Sequence, residues 1–109
     1  MVAAGWAWAA AIVWLSLTPS PPDAGFEGGD KVGHFGSYAL LTVWFFVLYR
    51  STPARVSHAV AFLCLGAGLE IAQGMTAYRT GDAFDMLANA LGVLAGAALG
   101  IAGPRILRR

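Results

Sequence analysis

Four long apolar stretches, separated by short polar punctuation, organise the chain. The first covers residues 2–17 and carries Trp6, Trp8 and Trp14. Pro19, Pro21 and Pro22 follow, and proline both removes a backbone donor and blocks helix continuation. Residues 18–29 therefore read as a loop rich in Pro and Gly, with Asp30 as an N-cap for a second helix over about 31–49. Residues 50–55 read as a short basic turn, and a third helix is predicted over about 56–73. Residues 74–81 form another polar loop. The fourth helix is predicted over about 82–102, ended by Gly103 and Pro104 and followed by a basic tail.

Polar residues interrupt these stretches at helical spacing. Asp82, Asp85 and Asn89 follow one another at intervals of three and four, which places them on one helical face. Asp30, His34 and Tyr38 recur every fourth residue along the second helix. Glu70 and Gln73 lie three apart in the last turn of the third. Gly92, Gly96 and Gly100, again every fourth residue, allow another backbone to approach closely. That face suits packing within the bundle or a homodimer through Gly92, Gly96 and Gly100.

Composition turns this pattern into a class. Of the 109 residues, 58% are hydrophobic and 12% charged, with a mean hydropathy of +0.64. Soluble domains carry roughly 25% charged residues. The expectation is a single all-α membrane domain, residues 1–109, with four transmembrane helices. The first apolar stretch is read as a membrane helix and not a cleaved signal peptide, because no Lys or Arg precedes it and no small-x-small site follows. With four spans, Arg50, Arg55, Arg105, Arg108 and Arg109 share one side, and Lys31 and Arg79 the other. The positive-inside rule then places both termini in the cytoplasm. All six acids fall on the outer half. A net charge of +1 gives no reason to expect a nucleic-acid partner. The single cysteine, Cys64, excludes an internal disulfide and a cysteine-based zinc site, and reads as a small hydrophobe.

Each polar residue has a structural reading and a functional one. Asp82 and Asp85 suit a helix N-terminus electrostatically without any further role. Glu70 is poorly placed at a helix C-terminus and calls for a cation: Lys31, Arg79 or a charged His34. Asn89 lies almost two turns into an apolar helix, where an amide needs a partner, and His34, Tyr38 or Glu70 would serve. Lys31 and Arg79 stand at two outward helix N-termini, a natural setting for a phosphate. The candidate ligand-binding set is therefore Asp30, Lys31, His34, Tyr38, Glu70, Gln73, Arg79, Asp82, Asp85 and Asn89. No cofactor and no metal is expected: carboxylates with one histidine can hold a divalent ion, but this spacing is generic.

These residues carry a resemblance. Ser16-Leu17-Thr18-Pro19 after the first span, Asp30-Lys31-x-x-His34-Phe35-x-x-Tyr38, Glu70-x-x-Gln73, and Arg79 with Asp85, Asn89 and Gly92 together resemble the VanZ-like family of small bacterial membrane proteins. The set runs over residues 16 to 100; residues 74–78 lack the proline expected there. The resemblance implies four spans, a multi-pass place in the bacterial cell membrane and a role in the envelope, with glycopeptide-antibiotic resistance as the family's namesake activity. It supplies no reaction. The leading expectation is a site for a membrane lipid or lipid-linked cell-wall precursor. The alternatives are an enzyme acting on a lipid headgroup, with His34 and Glu70 as acid and base and Asp85 orienting, and a structural or regulatory subunit docking through its glycine face.

Overall fold

The computed structural model describes residues 1–18, 29–75 and 83–107, with side chains given for these except residues 29, 30, 83 and 103–107. Four α-helices make up the described chain: α1 (Val2–Leu17), α2 (Gly29–Leu48), α3 (Thr52–Gly74) and α4 (Ala83–Leu107). All four expected helices are present. Three of them are long and apolar enough to cross a membrane; α1, with 16 residues, is shorter.

Three helix ends differ from expectation. The α2 backbone is already helical at Gly29, so Asp30 lies inside the first turn and not at the cap. The basic turn shrinks to Tyr49, Arg50 and Ser51, because Ser51 N-caps α3 by accepting a hydrogen bond from Ala54 N at 3.3 Å. Pro53 is compatible with this, since a first-turn residue has no intrahelical donor to lose. At the far end α4 continues through Gly103 and Pro104 to Leu107. Apolar helices tolerate Gly and Pro better than soluble ones do.

The helices alternate in direction. Trp8 Nε1 donates to Ser37 O at 3.1 Å and Trp44 Nε1 to Met1 O at 2.9 Å, so α1 runs antiparallel to α2. Gln73 Nε2 donates to Ser16 O at 2.7 Å, joining the last turns of α1 and α3. The tightest contact is between α2 and α4, which run parallel. A Cβ on Gly92 would collide with the Phe35 carbonyl, one on Gly96 with the Ala39 carbonyl and with Thr42 Cβ at 2.8 Å, and one on Gly100 with Phe46 Cβ. Small residues at intervals of four thus let two backbones meet. The glycine face is covered within the chain, and any second copy docking there would have to displace α2.

This topology sorts the molecule into two ends. One gathers the last turns of α1 and α3 with the first turns of α2 and α4. The other gathers Met1, Trp44, Arg55 and the last part of α4. Between them lies an apolar core of Ile12, Leu41, Phe45, Phe62, Leu69 and Val93. The outer surface is apolar too: Val32, Leu40, Val60, Ile71, Leu94 and Leu99 are all exposed, as is Cys64.

Candidate functional site

The polar residues of the first end point inward. Ser16, Glu70, Gln73, Asp85 and Asn89 are all buried, and so is Tyr38, at 1% exposure. Asp85 sits in the first turn of α4, where its charge complements the helix dipole. Its two oxygens face two residues of α2. Oδ1 lies 3.1 Å from Lys31 Nζ, and Oδ2 lies 3.7 Å from His34 Nε2. The lysine is the open side of this group, with 40% of its side chain accessible; His34 is at 17%. The helical ladder explains the geometry. Lys31, His34 and Tyr38 descend one face of α2, while Asp85 and Asn89 descend the facing side of α4.

One turn deeper, Asn89 packs on α3. A Cβ on Gly66 would lie 3.0 Å from Asn89 Cβ and 3.1 Å from its Nδ2, so only glycine at position 66 admits the amide comfortably. Glu70 follows Gly66 by one turn on the same helix. Tyr38 lies within electrostatic reach of Glu70, which closes the group between α2, α3 and α4. Thr42, one turn further, bonds back to the Tyr38 carbonyl at 2.8 Å and belongs to the helix and not to the cluster.

Three buried oxygens in this cluster have no hydrogen-bond partner: Tyr38 Oη, Asp85 Oδ1 and Asn89 Oδ1. For Asp85 Oδ1 the Lys31 contact is an ion pair by distance but lacks hydrogen-bond alignment. Buried polar atoms are normally paired, so Tyr38 Oη and Asn89 Oδ1, which lack even an ion pair, stand out in this cluster.

Of the ten residues proposed from sequence, the structure brings together Lys31, His34, Tyr38, Glu70, Asp85 and Asn89. Gln73 is at the same end, with its amide tying α3 to α1. The side chain of Asp30, and Arg79 and Asp82 altogether, lie outside the described residues. Among the described residues no group of three or more His, Cys, Asp or Glu has the arrangement of a metal site.

Sequence reasoning overlooked the opposite end. His58 lies against Tyr49 and Phe45, with ring centroids 4.8 and 4.9 Å away, and near Phe62 and Trp6. Its Nδ1 donates to the Ala54 carbonyl at 2.7 Å, which fixes the tautomer if the ring is neutral. Arg55 donates through Nε and Nη2 to the Phe46 carbonyl at 3.1 and 2.7 Å, and through Nε to the Tyr49 carbonyl at 2.9 Å. It thereby caps the exposed carbonyls of α2 while its guanidinium lies 5.4 Å from the Phe46 ring. Two i, i+4 ring pairs, Phe45 with Tyr49 and His58 with Phe62, are the signal that would have found this cluster.

Fold and site together define a small apolar helical bundle holding a buried polar cluster at one end. The chain belongs to the VanZ/LLP1 family, which it matches over residues 4–106. It is also 39% identical over 82 residues to a protein of Schizosaccharomyces pombe described as uncharacterized protein C11E3.10. That match covers 72% of this chain and 49% of the fungal protein, so the chain spans about half the length of the curated relative it matches. No solved structure matches.

Proposed function

We propose that the chain crosses a bilayer four times with both termini on the cytoplasmic side, and that its polar cluster binds the headgroup of an envelope lipid or a lipid-linked precursor. One observation carries the reading: Glu70, Gln73, Asp85 and Asn89 are inside the bundle, while large apolar side chains cover its outside. In water that arrangement would expose apolar surface and bury polar groups, both at a cost. In lipid it is the stable one, and ionisable groups then face the bundle interior.

The α1 and α4 ends that carry the two termini lie together, in keeping with an even number of crossings. The more basic side, with Arg50 and Arg55, is the aromatic end, which the positive-inside rule assigns to the cytoplasm. Lys31, the most open member of the cluster, is suited to the phosphate of a lipid, with Arg79 as its companion. The deeper groups, His34, Asp85, Asn89 and Glu70, would orient what is bound.

Two experiments test this. Reporter fusions at Ser51 and Gly25 should report opposite sides, Ser51 inside; finding Ser51 outside overturns the topology. Retention of co-purifying lipid should fall in a Lys31→Ala, Arg79→Ala double variant, and unchanged retention removes the headgroup reading.

The His34–Asp85 pair favours a second reading. A carboxylate beside an imidazole can orient it for proton transfer, which an enzyme acting on a lipid headgroup would use. Incubating the purified chain with radiolabelled lipid separates the two: a binder returns the lipid intact, and an enzyme does not.

A further inference from the structure

We infer that the deep part of the cluster selects a hydrogen-bond-donating group, an ammonium or a hydroxyl, and not a bare phosphate. This rests on the headgroup-binding reading and names the chemistry its inner half recognises. Below the Lys31–Asp85 ion pair, the unmatched atoms are Tyr38 Oη and Asn89 Oδ1, on side chains whose residues are 1% and 4% exposed. The amide oxygen can only accept, and the phenol can accept as well as donate. They belong to one constellation. Asp85 and Asn89 are one turn apart on α4, Asn89 packs on Gly66 of α3, and Tyr38 stands one turn below the His34 that faces Asp85.

The consequence follows from complementarity. A phosphate brings further acceptor oxygens and leaves Asn89 Oδ1 unmatched. A primary ammonium brings three donors, and a polyol brings one per hydroxyl. Lys31, paired with Asp85 at the open side, sets the level at which a phosphate would lie. The bound group therefore has two parts: an anion at the level of Lys31 and a donor reaching the level of Asn89.

The test uses the full chain in detergent with four lipids of matched acyl chains in equimolar competition, read by native mass spectrometry. Phosphatidylcholine has a phosphate and a cation without N–H. Phosphatidylethanolamine adds an ammonium, phosphatidylglycerol adds hydroxyls, and phosphatidic acid is a phosphate alone. Retention of the ethanolamine or glycerol lipid over the choline lipid should be roughly tenfold, as expected for one or two satisfied buried bonds. The ethanolamine arm marks an ammonium and the glycerol arm a hydroxyl. Tyr38→Phe, which deletes an unmatched hydroxyl and little else, should cut that preference by about threefold or more without lowering the thermal midpoint of the lipid-free protein.

Equal retention of choline, ethanolamine and glycerol lipids would mean that the oxygens take only water, and would overturn the inference. Preference for phosphatidic acid would also overturn it, while leaving headgroup binding in place. A Tyr38→Phe variant that melts earlier with unchanged selectivity would make the hydroxyl structural and would equally count against it. Failure of the parent reading has a separate signature: no preference among the four lipids and no effect of the Lys31→Ala, Arg79→Ala pair.

Discussion

The two ends of the bundle use the same helices and solve opposite problems. At the aromatic end, Arg55 and His58 give their protons to backbone carbonyls of Phe46, Tyr49 and Ala54, and rings fill the space around them. Titratable groups there are consumed by the fold itself. At the polar end, comparable groups are more deeply buried, yet Tyr38 and Asn89 each keep an oxygen without a partner, while Asp85 faces Lys31 and His34. An ionisable residue is therefore not by itself a sign of function in this protein. On the headgroup reading, the better guide is a buried polar atom that the fold leaves unmatched, because local consistency is usually broken where a site must answer to something else.

Substitutions at Gly96, Asp85 and Arg55 probe this contrast, from the largest effect to the smallest. Gly96→Leu should erase it by removing the frame both ends share, since even a Cβ meets the Ala39 carbonyl. Overpacking against backbone belongs at or above the upper end of about 1–3 kcal/mol. Size-exclusion profiles and melting in detergent should show loss of the folded monomer; a normal profile would mean that α2 and α4 do not meet there. Asp85 changes should act at one end only. Asp85→Ala should destabilise by about 1–3 kcal/mol, because Lys31 and His34 lose their common counter-charge. Asp85→Asn should impair lipid retention and complementation more than Asp82→Asn does, at equal protein levels checked by blot. Equal loss in both would sink the distinction. Arg55→Lys should be the mildest, costing about 1–2 kcal/mol as the guanidinium fork is lost from the α2 carbonyls. Its lipid retention should match that of the unsubstituted chain, and a changed value would show that the ends are coupled.

How much of this was legible beforehand depended on whether the signal was periodic. The four helices and the candidate set came from spacing: Asp85 with Asn89, and His34 with Tyr38, announce shared faces at a distance of one turn. The glycines at 92, 96 and 100 announced a close contact, but nothing local could say that the partner was Phe35, Ala39 and Phe46 on α2. Helix ends were misjudged where competing local signals met. Pro53 looked like part of a turn until Ser51 was seen to cap, and Pro104 looked like a stop that the α4 backbone passes through. The His58 cluster was missed because its rings come from α1, α2 and α3, and only fragments of it are periodic. Unmatched oxygens are not legible from sequence at all, since they depend on where every neighbour ends up.

The 16 residues of α1 have a consequence beyond the bundle. At 1.5 Å per residue they reach about 24 Å, against a hydrocarbon layer of about 30 Å. Its three companions, of 20, 23 and 25 residues, cover that thickness more nearly or fully. On the four-span reading this is hydrophobic mismatch along one flank, and a bilayer accommodates it by thinning or by drawing its interface inward. Gln73 ties the last turn of α1 to the polar end, at the carbonyl of Ser16. The last turns of α1 and α3 are therefore level at the polar end, and the difference in length between these two helices falls at the aromatic end. On that same reading, the short flank would draw the bilayer interface inward at the aromatic end and leave the polar end level with its neighbours.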